Sequence, residues 1–319
     1  MPHALTVWLH EDDTLLSRVS RRLLGGIAVL LGVTVVVFIL LHLTGNPALI
    51  LLPDQATNAQ IAQVRHNLGL DRPLWIQFAK YMWHALHGDF GTSIYYRQGA
   101  MSLVLSRLPN TAMLAGVAMG IAAVLAVPAA ILAARFRGTI IDRVVMAASL
   151  VGYAVPTFWL AIMIILIFSV TLGWLPPSGF DSAKQLILPG LTLGLYETTL
   201  LSRLLRRGLV DAYGRDYIRT ARAKGLSERR VLIPHAMKNA LIPVITVFGL
   251  QLGSLLGGAV VTETIFAFPG VGYLLVEAIY QRDFAIVEAF VVVSAAIIVV
   301  INLLVDLLYG VLDPRVRYA

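Results

Sequence analysis

The chain has 319 residues, of which 58% are hydrophobic and only 13% charged, and its formal net charge is +7. A soluble domain carries about 25% charged residues, so this composition excludes an ordinary water-soluble fold and makes the bilayer the natural solvent. With no cysteine, disulfides, thiolate metal clusters and thiol chemistry are excluded as well.

Residues 1–22 contain Glu11, Asp12 and Asp13 and lack a small-residue cleavage site, so they read as a cytoplasmic N-terminal extension. A membrane-spanning helix needs roughly 20 mostly apolar residues. The first such run is 23–43, closed by Gly45-Asn46-Pro47. Residues 46–107 follow as a polar outer subdomain with turns at Pro53-Asp54 and Gly88-Asp89, and with short helices predicted at Gln60–Leu70 and Trp75–Leu86. The second span is 111–134, with Pro128 inside it. Residues 140–172 read as one long span kinked near Pro156, because a membrane helix tolerates proline where neighbours satisfy the freed carbonyl. The fourth span, 186–206, is diluted by Pro189 and Glu197. A basic cytoplasmic loop occupies 207–238, the last two spans are 240–261 and 286–309, and 311–319 form a tail.

The expected fold is thus an all-α integral membrane domain of six transmembrane helices, 23–310, with a small helical insertion between the first two. Charge supports that count. With both termini inside, 18 of the 25 Lys and Arg residues fall on the cytoplasmic side, ten of them between Arg203 and Lys238. Splitting 140–172 into two spans would put those ten outside, against the positive-inside rule.

No HExxH, GxSxG or P-loop pattern is present, so an ATP-driven process would need a separate ATPase chain. His84 and His87 lie three apart on a predicted helix, a spacing open to a metal but also to packing or solvation. The cytoplasmic segment Asp211–Leu241 reads as a helix, Tyr217–Lys224, stopped by Gly225, then a second helix with Ser227 as N-cap and Glu228 in its first turn. The small residues Ala221 and Ala223 beside a glycine break would let another protein's groove receive the loop. On physics alone, a basic loop touching anionic headgroups fits equally well.

Arg219-Thr220-Ala221-Arg222-Ala223-Lys224-Gly225-Leu226, followed by His235 and Asn239-Ala240-Leu241-Ile242-Pro243-Val244, resembles the coupling loop of ABC importer permeases in their dipeptide, oligopeptide, glutathione and nickel branch. The family's generic loop begins Glu-Ala-Ala and ends Ile-x-Leu-Pro; here Arg219-Thr220-Ala221 stands at its start and the final Leu-Pro is missing. The first permease subunit of such systems is also similar at Leu68-Gly69-Leu70-Asp71-Arg72-Pro73-Leu74, Gly88-Asp89-Phe90-Gly91, Leu172-Gly173-Trp174-Leu175-Pro176, Glu263-Thr264-Ile265-Phe266 with Pro269-Gly270, and Asp313-Pro314 with Arg317-Tyr318. The resemblance spans residue 20 to the C-terminus. It implies a type I ABC importer fold in a bacterial inner membrane, a second homologous permease as partner, two ATP-binding subunits, and a periplasmic or lipid-anchored binding protein. The cargo implied is a peptide, with glutathione or a nickel chelate as the alternative. This chain would bind no cofactor and no nucleic acid, and ATP and Mg would be used by the partners. Residues 219–235 become the handle pulled by the ATPases, with Thr220, Ala221, Arg222, Ala223, Lys224, Gly225, Leu226, Arg229, Arg230 and His235 as coupling residues.

Ionisable groups within the bilayer are costly and call for a functional explanation. Glu197, beside Tyr196, is placed either on the substrate pathway with Pro156, against a partner cation, or protonated in a helix interface. Asp306 belongs at the cytoplasmic interface. Gly249, Gly253 and Gly257 share one helical face, open to packing inside the bundle or against the second permease. The turn Phe266-Ala267-Phe268-Pro269-Gly270 is expected at the outer mouth, where Phe266, Phe268, Pro269 and Gly270 would help close a gate. The outer subdomain docks the binding protein or merely caps the first two spans. Two other classes compete: an intramembrane enzyme, which lacks an acid–base pair or metal ligands at one depth, and a stand-alone secondary transporter, for which internal repeats are missing.

Overall fold

In lipid every backbone amide must be satisfied within the chain, so long apolar runs are forced to be helical. The computed structural model describes residues 15–44, 57–68 and 71–312, and they are helical nearly throughout. The turns at 45–47 and Pro53-Asp54, Gly69, Leu70, and the Asp313-Pro314 and Arg317-Tyr318 motif lie outside the described residues, as do residues 1–14.

The helices are α1 (Leu15–Thr44), α2 (Asn58–Leu68), α3 (Leu74–Leu86), α4 (Ala100–Arg135), α5 (Ile140–Ala154), α6 (Thr157–Ile164), α7 (Ile187–Tyr213), α8 (Asp216–Ala223), α9 (Glu228–Val231), α10 (Lys238–Leu256), α11 (Val260–Ile265), α12 (Val271–Tyr280) and α13 (Phe284–Leu312). A π-turn, Ile165–Thr171, extends α6, and another, Leu232–Met237, joins α9 to α10. The two short outer helices fall where expected. α4 begins eleven residues ahead of the predicted span; its 36 residues extend about 54 Å, well beyond a core about 30 Å thick.

Among the described residues, α1, α4, the α9–α10 run and α13 are long and apolar enough to cross a membrane. α7 is not, and the reason is its position. It is packed by α4, α5 and α10, so neighbours rather than lipid meet its polar side chains. Gly190 lies against Val117 and Gly194 against Ile121 of α4, where a Cβ would come within 2.7 and 2.8 Å of those side chains. Such close backbone approach is what small residues contribute to membrane helix pairs.

The break in 140–172 falls at Pro156 as expected, but it is far more than a kink: the helices on either side meet at 101°. Proline explains the place, since it has no N–H to donate to the Gly152 carbonyl, while the Val151 carbonyl still accepts from Val155 N–H at 3.1 Å. The extent of the turn comes from packing, because α5 lies on α7 and α4 while α6 is shared between α7 and α11.

Gly249 and Gly253 face Val305 and Ile301 of α13, and Gly257 faces Ile298. This small-residue face is therefore packing within the subunit. Gly26 brings α1 against Val299 of the same helix, and Arg22 of α1 pairs with Asp306, which fixes that acid as structural.

The loop 88–99 is folded onto the α12–α13 corner. Gly88 and Gly91 take φ values of 71° and 84°, conformations that favour glycine, and Phe90 is buried between them. Asp283 accepts hydrogen bonds from the Ser93 hydroxyl at 2.5 Å and the Ile94 N–H at 3.1 Å, and Tyr96 donates to Glu277 at 2.9 Å.

Candidate functional site

The loop between α7 and α10 is built as an amphipathic unit. α8 buries Ile218 and Ala221 against the bundle and leaves Arg219, Thr220 and Arg222 exposed. Its end is a complete Schellman closure: Gly225 N–H donates to Arg222 O at 2.9 Å, and Leu226 N–H to Ala221 O at 3.3 Å. Gly225 holds φ 76°, the left-handed conformation such a closure requires. Leu226 packs back onto the core that includes Ala221.

Ser227 stands at the N-cap of α9 as expected, but its hydroxyl makes no cap bond. Glu228 has turned to Arg222 instead, accepting from Nε at 2.9 Å and Nη2 at 3.2 Å. The Arg222 guanidinium lies 5.6 Å from the Tyr213 ring centre. Arg222 is thus engaged inside the loop, where it staples α8 to α9. Its hydrogen bond holds the Glu228 carboxyl below the usual glutamate range. The staple is therefore fully present above that range and is lost only as pH falls through it.

Thr220, Ala223, Lys224, Gly225, Arg229 and Arg230 remain exposed, while His235 is half-buried in the π-turn. A cavity of about 270 Å³ separates the loop from the end of α4, lined by Ile131, Arg135, Tyr213, Glu228, Arg229 and Leu232. The loop presents a basic surface on a fixed frame.

α5 and α7 are zipped by polar contacts along their lengths. Arg206 makes a bidentate pair with Asp142, both bonds 2.6 Å, and the Gly138 N–H donates to the same carboxylate at 2.9 Å. One side of the pair ends a tight turn, with Gly138 at φ 80°. Farther along, Ser149 and Ser202 hydroxyls meet at 3.1 Å, and Tyr153 stacks on Tyr196 at 5.9 Å. Asp142→Ala is expected to lower the stability of the purified protein by about 1.5–3 kcal/mol, the worth of hydrogen bonds to a charged group. A thermal melting midpoint indistinguishable from the parent would overturn that weight.

Glu197 is buried, and Gln251 of α10 donates to it at 3.1 and 2.9 Å. It lies in a helix interface within the subunit, on a different side of α7 from half-buried Tyr196, while Pro156 is exposed. The three do not form one surface.

The opposite end of the bundle is organised by Glu263, fully buried. Its carboxylate accepts from the Thr111 hydroxyl at 2.7 Å and from the N–H groups of Gly272 and Tyr273 at 2.7 and 3.0 Å. Thr111 in turn accepts from Val271 N–H at 2.9 Å, and Asn110 donates to Pro269 O at 2.9 Å. The orphan amides at the start of α12 are all satisfied by two side chains, one from α4 and one from α11. Ala267 turns the chain at φ 47°, burying Phe266 and Phe268 in the core, the latter edge-on to Phe180 at 4.9 Å. Gly270 approaches the Glu263 carboxylate so closely that a Cβ there would collide with it. The Phe266–Gly270 turn is a packed bracket.

His84 and His87 take separate partners: Asp89 at 3.1 Å and the Trp83 carbonyl at 2.8 Å. Sequence reading missed the roles of Asp142, Arg206, Thr111, Gln251 and Glu263. Of these, Asp142 carried a local signal, an acid three residues after Thr139 at a helix start, and Glu263 stood in the motif Glu263-Thr264-Ile265-Phe266 without pointing to its partners.

The chain matches the family described as binding-protein-dependent transport system inner membrane component over residues 126–318, and the N-terminal region of such membrane components over residues 15–115. It is 43% identical over 305 residues to a glutathione transport system permease protein, GsiC, of Salmonella typhimurium, covering 95% of this chain and 100% of that protein. It is 38% identical to a di/tripeptide transport system permease, DppB, of Pseudomonas aeruginosa, covering 95% and 99%. An oligopeptide transport system permease, AppB, of Bacillus subtilis is 39% identical, with 94% and 99% covered. Among solved structures, the MetNI methionine ABC transporter in an inward-facing conformation is similar in fold, with a TM-score of 0.57 at 19% identity, covering 67% of this chain and 97% of that one. Bundle, loop and matches agree: the chain belongs to the binding-protein-dependent transport system inner membrane component family, the membrane-spanning permeases of ABC importers.

Proposed function

We propose that this chain forms half of the translocation pathway of an ATP-driven peptide importer, paired with a second, homologous permease. Two ATP-binding subunits, which hold the ATP and Mg and carry out hydrolysis, grip the 219–235 loop from the cytoplasm. A periplasmic or lipid-anchored binding protein delivers cargo from outside, with the 46–107 region as its docking surface. The chain crosses the membrane six times with both ends in the cytoplasm, which keeps the loop's basic residues inside. Thr220, Lys224, Arg229 and Arg230 contact the ATPase, and the Phe266–Gly270 bracket forms the outer rim of the pathway.

The observation that carries this reading is the loop, a Schellman-closed, stapled unit whose buried side, Ile218 and Ala221, joins the bundle core and whose basic side is exposed. Peptide cargo is supported by relatives named for di/tripeptide, oligopeptide and glutathione transport. Glutathione is itself a tripeptide, so these names share one substrate chemistry. The test is affinity purification of the tagged chain from mildly solubilised membranes. Recovery of a second permease and ATPase subunits is expected. A chain that emerges intact and alone would favour a stand-alone transporter.

A further inference from the structure

α7 is enclosed on most sides, yet one stripe of it is not. Tyr196, Leu200, Arg203 and Arg207 recur at a helical spacing and are half-buried or exposed. Arg203 is the unusual member. It lies ten residues before the end of α7 at Tyr213, about 15 Å along the axis from the cytoplasmic end. Its Nε donates to Thr199 O at 3.1 Å, one turn farther from the cytoplasm. Its guanidinium carbon lies 4.9 Å from the centre of the Tyr153 ring, which is stacked on Tyr196.

A long cationic side chain facing lipid bends toward the nearer interface to keep its charge in water. Arg203 bends the other way. Tyr153 is eleven residues beyond Asp142, the partner of Arg206, or about 16 Å deeper along α5. A guanidinium at that depth, directed inward, belongs on a water-lined surface. Among the described residues no carboxylate pairs with it. Arg206, one turn away, already has its acid; Arg203 offers a charge with fixed orientation and no anion.

We propose that Arg203, held over Tyr153, is the pathway site that receives the free carboxylate of the transported peptide. This rests on the peptide reading above. The chemistry suits the cargo class, because short peptides, glutathione included, present a terminal carboxylate. A planar guanidinium binds one through paired N–H donors, and the tyrosine face keeps it aimed without neutralising it.

The test uses the whole complex in proteoliposomes: both permeases, the ATPases and the binding protein, whose affinity for each probe is measured first so that delivery is saturated. The probes are trialanine and trialanine amide. Arg203→Gln is expected to lower trialanine uptake about tenfold, as loss of a charge-assisted bidentate contact should, and to leave amide uptake and binding-protein-stimulated ATPase activity unchanged. Arg203→Lys should recover part of the loss, and Tyr153→Leu should lower trialanine uptake roughly two- to fivefold. Equal loss for acid and amide would overturn the proposal and assign Arg203 to the partner permease or the fold; so would unchanged trialanine uptake. If Arg203→Gln does not assemble, the acid-to-amide ratio in the other two variants decides, and a parental ratio in both overturns it. If the parent complex carries neither probe, the peptide reading itself fails and the carboxylate site falls with it.

Discussion

Replacing Glu263 with alanine is expected to cost more stability than any other single change in the outer half of the protein. Three donors converge on this carboxylate, from the Thr111 hydroxyl and the amides of Gly272 and Tyr273. The Thr111 hydroxyl and the Gly272 amide are buried and the Tyr273 amide is partly so, and truncation leaves them without a protein acceptor and with little access to water. Each buried group left unsatisfied costs about 1–3 kcal/mol, which puts the sum on the order of 4 kcal/mol. The damage spreads, because Thr111 also accepts from Val271 N–H and turns only when its own donor is satisfied. Glu263→Gln keeps the shape and one carbonyl acceptor, and is expected to retain roughly half of the loss. Gly270→Ala attacks the same bracket from the other side, since its Cβ would strike the carboxylate. The measurement is the unfolding midpoint of the purified permease in detergent. An alanine variant within about 1 kcal/mol of the parent would mean that the bracket is incidental, since losses that small are typical of surface changes and minor contacts.

The second large effect is functional. Gly225→Pro and Ala221→Glu are each expected to separate ATP hydrolysis from uptake in the assembled transporter. Proline cannot adopt the φ of 76° found at Gly225 and removes the N–H that donates to Arg222 O, so the Schellman closure cannot form. Glutamate at Ala221 drives a carboxylate into a site that is 6% exposed, prising α8 off the bundle. Both changes leave the ATPases untouched, so ATP turnover should persist while uptake falls about tenfold or more, as expected when an element that transmits motion loses its fixed geometry. Gly225→Ala is the graded control: a left-handed alanine costs about 1–2 kcal/mol but keeps the N–H. Normal uptake in the proline or glutamate variant would remove the loop from the coupling path.

How far these sites were legible in the sequence follows from how far apart their members lie. α1, α4 and α13 announce themselves by hydropathy, because each meets lipid along much of its length. Gly225 and the helix start after Ser227 were legible too, since a helix stop and start are local events. The pairing of Glu228 with Arg222 is a choice no propensity encodes. α7 was obscured by its own success as a central helix: shielded by protein, it can carry Glu197, Thr192, Thr199 and Ser202 buried. Proline marked the break at 156 but not its 101° angle, which comes from which helices the two halves follow. The brackets were invisible for a plainer reason. Thr111 and Glu263 are 152 residues apart, and Asp142 and Arg206 are 64 apart, so no periodicity or spacing rule joins them.

That separation also sets a timetable for the protein's birth. A nascent chain emerges from the ribosome at about 5–20 residues per second. Asn110 and Thr111 therefore enter the membrane many seconds before Glu263 and Pro269, their eventual partners, have been synthesised. During that interval α4 carries polar groups whose acceptors do not yet exist, and the outer end of the bundle has nothing to close on. The last fifth of the chain then acts as a completion signal: only when α11 and α12 arrive does the older part acquire its final hydrogen bonds. A ribosome that stops early releases a bundle in which Asn110 and Thr111 lack these acceptors.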